Sequence, residues 1–371
     1  MNTNKALIIN IFNHFSMHPA RIMIMIEIIF SLIKVGSVRQ EKIAQGTSIK
    51  VKTNSITRRI QRFFEQQVLC PKMASKLIFS FFDWTEKIIL TLDRTNWKFG
   101  KTDINFLVVC AIYRDYSIPL CWILLPHQGN SHTKQRIDLI EMLSAILPLN
   151  CIESLLADRE FVGAEWFKYL FINNIPFCIR IKENMLIRGK RCDDKIQLKK
   201  IFQSLEFGKI REVRQLISDV PLRILATRIE TGELLILATY GHEIETEAEI
   251  FSLYSLRWSI ETMFKSLKSS GFNFEDTHQK NLERLHKMMI LLAIAYAWSI
   301  KIGEIKHAIK PIKIKANGRP EFSLFTYGFR VIKTILLKGV VKLIDKLLTL
   351  LENIALNQDA SPDLKMITVV Y

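Results

Sequence analysis

The chain has 371 residues, room for two or three domains, and 49% of them are apolar, ample for a large core. A formal net charge of +16 points to a polyanionic partner. Cys70, Cys110, Cys121, Cys151, Cys178 and Cys192 show no CxxC and no paired spacing, and none of the eight histidines falls in an HExxH pattern. That argues against a disulfide framework or a zinc site, and for reduced thiols in a cytosolic protein. No secretory signal is read at the N-terminus. The apolar run 22–33 is broken by Glu27 and the run 288–300 spans about 13 residues, so both read as buried helices too short to cross a membrane.

The charge is uneven. Residues 1–80 carry 12 Lys and Arg against 3 Glu, a balance of +9, and residues 301–371 carry 12 basic against 6 acidic, a balance of +6. The 220 residues between them therefore hold about +1. Basic ends around a near-neutral middle read as arms that grip a polyanion around a catalytic domain.

In chain order, residues 1–83 look helical. VRQEKIAQGTSIKVKTNSITRRIQRFFEQQ (38–67) reads as helix, turn, basic helix, with Ser55 as the N-cap of the second. In that second helix Arg58, Arg59 and Arg62 crowd one side while Ile60, Phe63 and Phe64 would pack the other. A helix-turn-helix that touches DNA fits the pattern; a solvated basic helix is the plain alternative. Strand candidates follow at 88–93, 106–113 and 118–125, with turns at Gly100 and 114–117, then a helix at 136–147 and a strand at 154–158.

Two acids stand at the ends of apolar runs: Asp93 in KIILTLDRTNW and Asp158 in IESLLADREF. Alone, either could merely cap a turn. Residues 166–245 follow, with IPFCIRIKEN, LRILATRI and ELLILATY as strand candidates and Gly189, Gly208 and Gly232 at turns, a β-rich stretch. The helix FSLYSLRWSIETMFKSLKSS (251–270) carries the sharpest pattern. At 100° per residue Tyr254, Arg257, Glu261 and Lys268 share a narrow stripe, while Leu256, Ile260, Met263, Phe264 and Leu267 face the other way as the packing side. An acid between cations on the non-core face suits metal and phosphate, though such a face is more often simply solvated. Asp93, Asp158 and Glu261 together make the oxygen-rich set that Mg²⁺ or Mn²⁺ prefers, and they point to a two-metal phosphoryl-transfer site.

These segments resemble the DDE transposases of bacterial insertion sequences, in particular insertion-sequence family four. LTLDRTNW, LLADREF and YSLRWSIETMFKSLKSSGFNFEDTH with its YREK spacing carry the resemblance, and LLPHQGNSHTKQR (124–136) and GRPEFSLFTYGF (318–329) extend it over about residues 35–335. The resemblance implies an α/β fold: an RNase H-like core, interrupted by a β-rich insertion, with helical N-terminal and C-terminal regions. Its expected divisions are a helical DNA-binding domain 1–83, core segments 84–165 and 246–300, an insertion 166–245 and a basic helical region 301–371. It implies catalysis by Asp93, Asp158 and Glu261 with two Mg²⁺ (or Mn²⁺) ions. Double-stranded DNA, both transposon ends and target, would be gripped by Tyr254, Arg257 and Lys268, with Trp258 under bases or bracing Arg257, and by Arg58, Arg59 and Arg62. A homodimer in the DNA complex, a bacterial cytoplasmic, nucleoid-associated location and no membrane association complete it. A metal-dependent nuclease on the same fold and an inactive DNA-binding derivative remain the alternatives.

Overall fold

The computed structural model describes residues 12, 15, 17–188 and 195–355. Gly189, Cys192 and the end of the basic C-terminal region, 356–371, lie outside the described residues. The chain divides into two compact units: Met1–Asp83, Trp97–Ile104 and Met263–Tyr371 form the first, Trp84–Asn96 and Asn105–Thr262 the second.

Among the described residues the first unit opens with α1 (Pro19–Val35), α2 (Gln40–Gly46), α3 (Thr53–Gln66) and α4 (Pro71–Ser80). Proline at the first position pre-sets φ for α1, and α1 stops at Gly36, whose φ of 63° is left-handed. The expected basic helix is α3, joined to α2 by residues 47–52. It starts two residues before Ser55, with Lys52 at the cap and no side-chain cap bond. Ile56, Ile60, Phe63 and Phe64 are buried and Arg58, Arg59 and Arg62 exposed, as the periodicity requires.

The second unit is built on one mixed sheet. β1 (Ile88–Phe99), β2 (Thr102–Tyr113) and β3 (Tyr116–Leu124) are consecutive strands, α5 (Thr133–Ser144) follows, and β4 (Ile152–Ala157) returns parallel to β1. Gly100, at φ 60°, supplies the left-handed residue in the two-residue β1–β2 connection. α6 (Ala164–Ile172) then leads to β5 (Phe177–Arg180), parallel to β4. The order β3-β2-β1-β4-β5 is that of the expected RNase H-like core. Its central strands are buried on both faces, which is why Phe106–Ala111 reads as an unbroken apolar run.

The β-rich stretch extends this sheet. β6 (Leu186–Arg188) and β7 (Lys195–Gln197) form a separate ribbon, α7 (Leu198–Ile201) is one turn, and β8 (Ile210–Ile217), β9 (Val220–Arg228) and β10 (Leu234–Tyr240) join antiparallel beyond β5. A division at residue 166 is therefore corrected: IPFCIRIKEN supplies β5, a core strand, because its β-branched and apolar residues pair with β4. The helix read as 251–270 is also broken. α8 (Glu247–Ser255), started by a Thr246–Glu249 capping box, tightens into a 3₁₀ turn at Leu256–Trp258 before α9 (Ser259–Lys268).

Back in the first unit, α10 (Leu282–Ile309), α11 (Leu324–Lys338) and α12 (Val341–Ala355) follow as the last described helices. α10 far exceeds the 13-residue apolar run that announced it. Among the described residues it is the one helix long and apolar enough to cross a membrane, yet 83% of its most apolar window is buried. It packs against α1, α3, α4 and α11, not into the catalytic core as the division 246–300 expected. A helix apolar all round needs helices on every side. Phe12, Phe30 and Phe81 surround its Trp298 at ring-centroid distances of 6.0, 6.2 and 6.2 Å.

Candidate active site

The sheet register sets the first two acids side by side. β1 and β4 are parallel through Leu92↔Ala157, so Asp93 and Asp158 are the next residues on neighbouring strands about 4.8 Å apart. Asp158 stands at the strand end as expected. Asp93 does not: β1 continues six residues past it, because Arg94–Phe99 still pair within the hairpin. Asp93 is 16% exposed. Burial pushes its carboxyl up to about 7, with Glu160 and Asp158 adding repulsion, against the opposing backbone N–H of Arg94 and the Arg257 charge. Asp158 Oδ1 is buried and has no hydrogen-bond partner.

The third acid is tied to the first through Arg257. Its Nη1 donates to Asp93 Oδ2 (3.3 Å) and its Nη2 to Glu261 Oε1 (2.6 Å). Burial lowers the guanidinium's affinity for its proton, but Tyr254, Glu261, Asp93 and Asp158 more than offset this and hold it above its ordinary value. Hydroxyls fix the start of α9: Thr91 Oγ1 is 3.2 Å from Ser117 Oγ, which is 2.6 Å from Ser259 Oγ.

The stripe is not the solvated side of the helix, which corrects the sequence reading. Tyr254 and Arg257 are each 6% exposed. Tyr254 packs with Leu156, Cys178, Leu225, Leu237 and Ile250, so its ring is part of the core. Arg257 is buried because Asp93 and Glu261 compensate its charge. Trp258 is 62% exposed, with the Arg257 guanidinium 5.2 Å from its ring centroid, a cation–π brace on an open aromatic face. Lys268 falls in the first unit, where Nζ is 2.7 Å from Glu275 Oε1 and 5.7 Å from the Trp97 ring. Of the expected packing side, Ile260, Met263, Phe264 and Leu267 are buried, whereas Leu256 is only partly buried and packs against the cluster that holds Tyr254.

Sequence reasoning missed the residues that hold the turn after Asp158. Arg94 forms a fork with both Glu160 oxygens (3.2 Å each) and donates to Asn105 Oδ1 (3.2 Å). Arg136 donates to Ser131 and to the Glu160 carbonyl and lies over Phe161 at 5.2 Å. A signal was present: Arg94 and Glu160 belong to the same LDR and DREF stretches that flagged the aspartates.

Among the described residues no three acidic, His or Cys side chains are gathered as a ready metal cage. The expected convergence is thus incomplete, because Glu261 turns to Arg257. The chemistry of the site nonetheless fits a divalent cation: an unpartnered buried carboxylate oxygen on Asp158, and beside it an Asp93 carboxyl whose burial is undercompensated.

The model of the transposase DDE domain matches residues 84–298, more than half of the chain. The chain belongs to the DDE transposase family. No curated protein matches it. Among solved structures, the cryo-EM structure of a piggyBac transposase synaptic complex with hairpin DNA is 12% identical with a TM-score of 0.47, covering 91% of this chain and 76% of that one. Membership places this DDE transposase in DNA transposition and in nucleotidyl-transfer chemistry of a kind that uses divalent metals.

Proposed function

We propose that this chain is the transposase of a bacterial insertion sequence of family four, with the YREK signature at Tyr254, Arg257, Glu261 and Lys268. It binds the terminal repeats of its element, cleaves them and joins the freed ends to target DNA, as a homodimer on DNA in the bacterial cytoplasm. The observation that carries this reading is the row of Asp93 and Asp158 on adjacent parallel strands, bound to Glu261 through Arg257. Asp93, Asp158 and Glu261 would hold two Mg²⁺ or Mn²⁺ ions, which when bound supply nucleophile activation and leaving-oxygen stabilisation. Arg257 keeps the acids in register and presents a cation to a DNA phosphate. Trp258 offers its open face to a base. Arg58, Arg59 and Arg62, exposed on α3, meet phosphates of the terminal repeat.

The test uses the full-length protein and a plasmid carrying the DNA that flanks its gene on both sides. Asp158→Asn and Glu261→Gln are each expected to abolish Mn²⁺-dependent cleavage and strand transfer while repeat binding survives. Cleavage that persists in both variants overturns the assignment. Cleavage without any joined product leaves a nuclease.

A further inference from the structure

The register that sets Asp93 beside Asp158 runs one strand further. β4 and β5 are parallel through Ala157↔Ile179, so the residue abreast of Asp158 on β5 is Arg180. Residues paired in register point to the same face, so the row reads Asp93, Asp158, Arg180 across three parallel strands, with Asp158 and Arg180 at the carboxyl ends of β4 and β5, where open α/β sheets bind ligands. Arg180 is 20% exposed. It opens into a cavity of about 380 Å³ lined also by Arg159, Lys182, Lys199, Glu183 and Glu233. Four cations against two acids give this cavity a local charge of +2 (4 − 2), although the middle of the chain as a whole carries only about +1.

The cations are unequally satisfied. Glu233 accepts from Arg180 Nη2 at 2.5 Å and lies 3.5 Å from Arg159 Nη1. Lys182 and Lys199 are exposed and have no ion-pair partner among the described residues. One carboxylate oxygen thus serves two guanidinium groups, and no described acid pairs with the two ammonium groups beside them. A carboxylate oxygen on which two guanidinium groups converge stands where an anionic phosphate oxygen would sit.

We propose that this cavity is a phosphodiester pocket for the DNA strand entering the carboxylate row, and that Glu233 occupies its arginines until DNA displaces it. The proposal rests on the transposase reading for its ligand. Arg180 and Arg159 take the phosphate nearest Asp158, and Lys182 and Lys199 follow the backbone outward. Glu233 acts as a competitor: a strand must bring enough phosphate charge to replace it, which disfavours weakly charged or singly contacting ligands.

The test measures binding of a fluorescein-labelled duplex oligonucleotide of generic sequence to the full-length protein, in EDTA, across a KCl series. Lys199→Ala and Arg180→Gln are expected to weaken binding several-fold and to reduce the slope of log affinity against log salt by about 0.9 each. Glu233→Gln is expected to move the other way, tightening binding several-fold, an outcome that damage to the fold would not produce. Arg180→Lys should restore the slope. Unchanged affinity and slope in Glu233→Gln and Lys199→Ala overturn the pocket, whether or not Arg180→Gln folds. A parallel Mn²⁺ cleavage assay on flanking DNA separates the two readings. Wild-type protein that never cleaves, with the binding pattern as expected, removes the transposase reading and leaves the pocket. Asp158-dependent cleavage with pocket variants that bind like wild type removes the pocket alone.

Discussion

Asp93 is a carboxylate held where a charge is poorly solvated, and its carboxyl sits at about 7 against an ordinary 3.8. A raised acid favours the native state only while protonated. Its contribution is complete below the unfolded value and is lost as pH rises from about 4 to 7. The full shift corresponds to at most about 4 kcal/mol, at roughly 1.4 kcal/mol per unit. In EDTA, Asp93→Asn is therefore expected to be more stable than wild type above pH 7 by about 2–4 kcal/mol, and to lose most of that advantage near pH 4. Urea unfolding at the two pH values checks this; equal stability at both would mean that burial is not what sets the site. Both aspartates were legible in the sequence because each follows an apolar, strand-forming run. The partners were not. Arg94 reaches Glu160 66 positions away and Arg257 reaches Asp93 164 positions away, distances that only the sheet register brings together.

Elements were most legible where one face is buried and the other is wet. α3 is such a helix: its core face is held in the first unit, where Lys287 Nζ donates to the Phe64 carbonyl (2.8 Å) and Arg284 pairs with Glu65 (2.7 Å), and its arginines are left outside. Arg58→Ala with Arg62→Ala is expected to lower the salt slope of repeat binding by about two units, one per phosphate contact, with little change in stability. A slope equal to wild type would move recognition to the other basic segments. Elements buried on all sides gave weaker signals. α10 showed only its most apolar stretch, because periodicity vanishes when every face packs. The two glycines at its crossing with α11 explain how closely these helices approach: a Cβ on Gly328 would sit 1.9 Å from the Ser299 carbonyl oxygen, and one on Gly303 would sit 2.0 Å from that of Leu324. Both clashes are with backbone, which cannot rotate aside. Gly328→Ala is expected to cost about 3 kcal/mol or more in urea unfolding, at the upper end of overpacking penalties. The broken signature helix was illegible for another reason. A 3₁₀ turn keeps roughly the same spacing, so a 100° wheel still aligns Tyr254 with Glu261, but the wheel cannot say that the sheet supplies an apolar cluster for one and a carboxylate for the stripe's arginine.

At the scale of the molecule, the charge imbalance was readable and its placement was not. The basic ends, +9 over residues 1–80 and +6 over residues 301–371, belong to the same unit, together with the tip of the β1–β2 hairpin. Contact between ends so far apart in sequence leaves no local trace, which is why the chain reads as five consecutive parts and folds as two interleaved ones. The chain passes between the units at residues 83/84, 96/97, 104/105 and 262/263, so the span 84–298 that carries the family match is not a structural unit. It contains the whole second unit but ends inside α10, without Phe30 of α1 and Phe81 at the C-cap of α4, which cover Trp298. An apolar helix stripped of its partners exposes a patch far larger than soluble proteins tolerate. Expressed alone, residues 84–298 are expected to self-associate or precipitate, whereas 84–262 should elute as a monomer with slowly exchanging amides in β1, β4 and β5. Size-exclusion chromatography and hydrogen exchange decide it. A monodisperse 84–298 fragment with α10 protected would show that this helix holds its fold without α1 and α4, and that the first unit is not what shelters it.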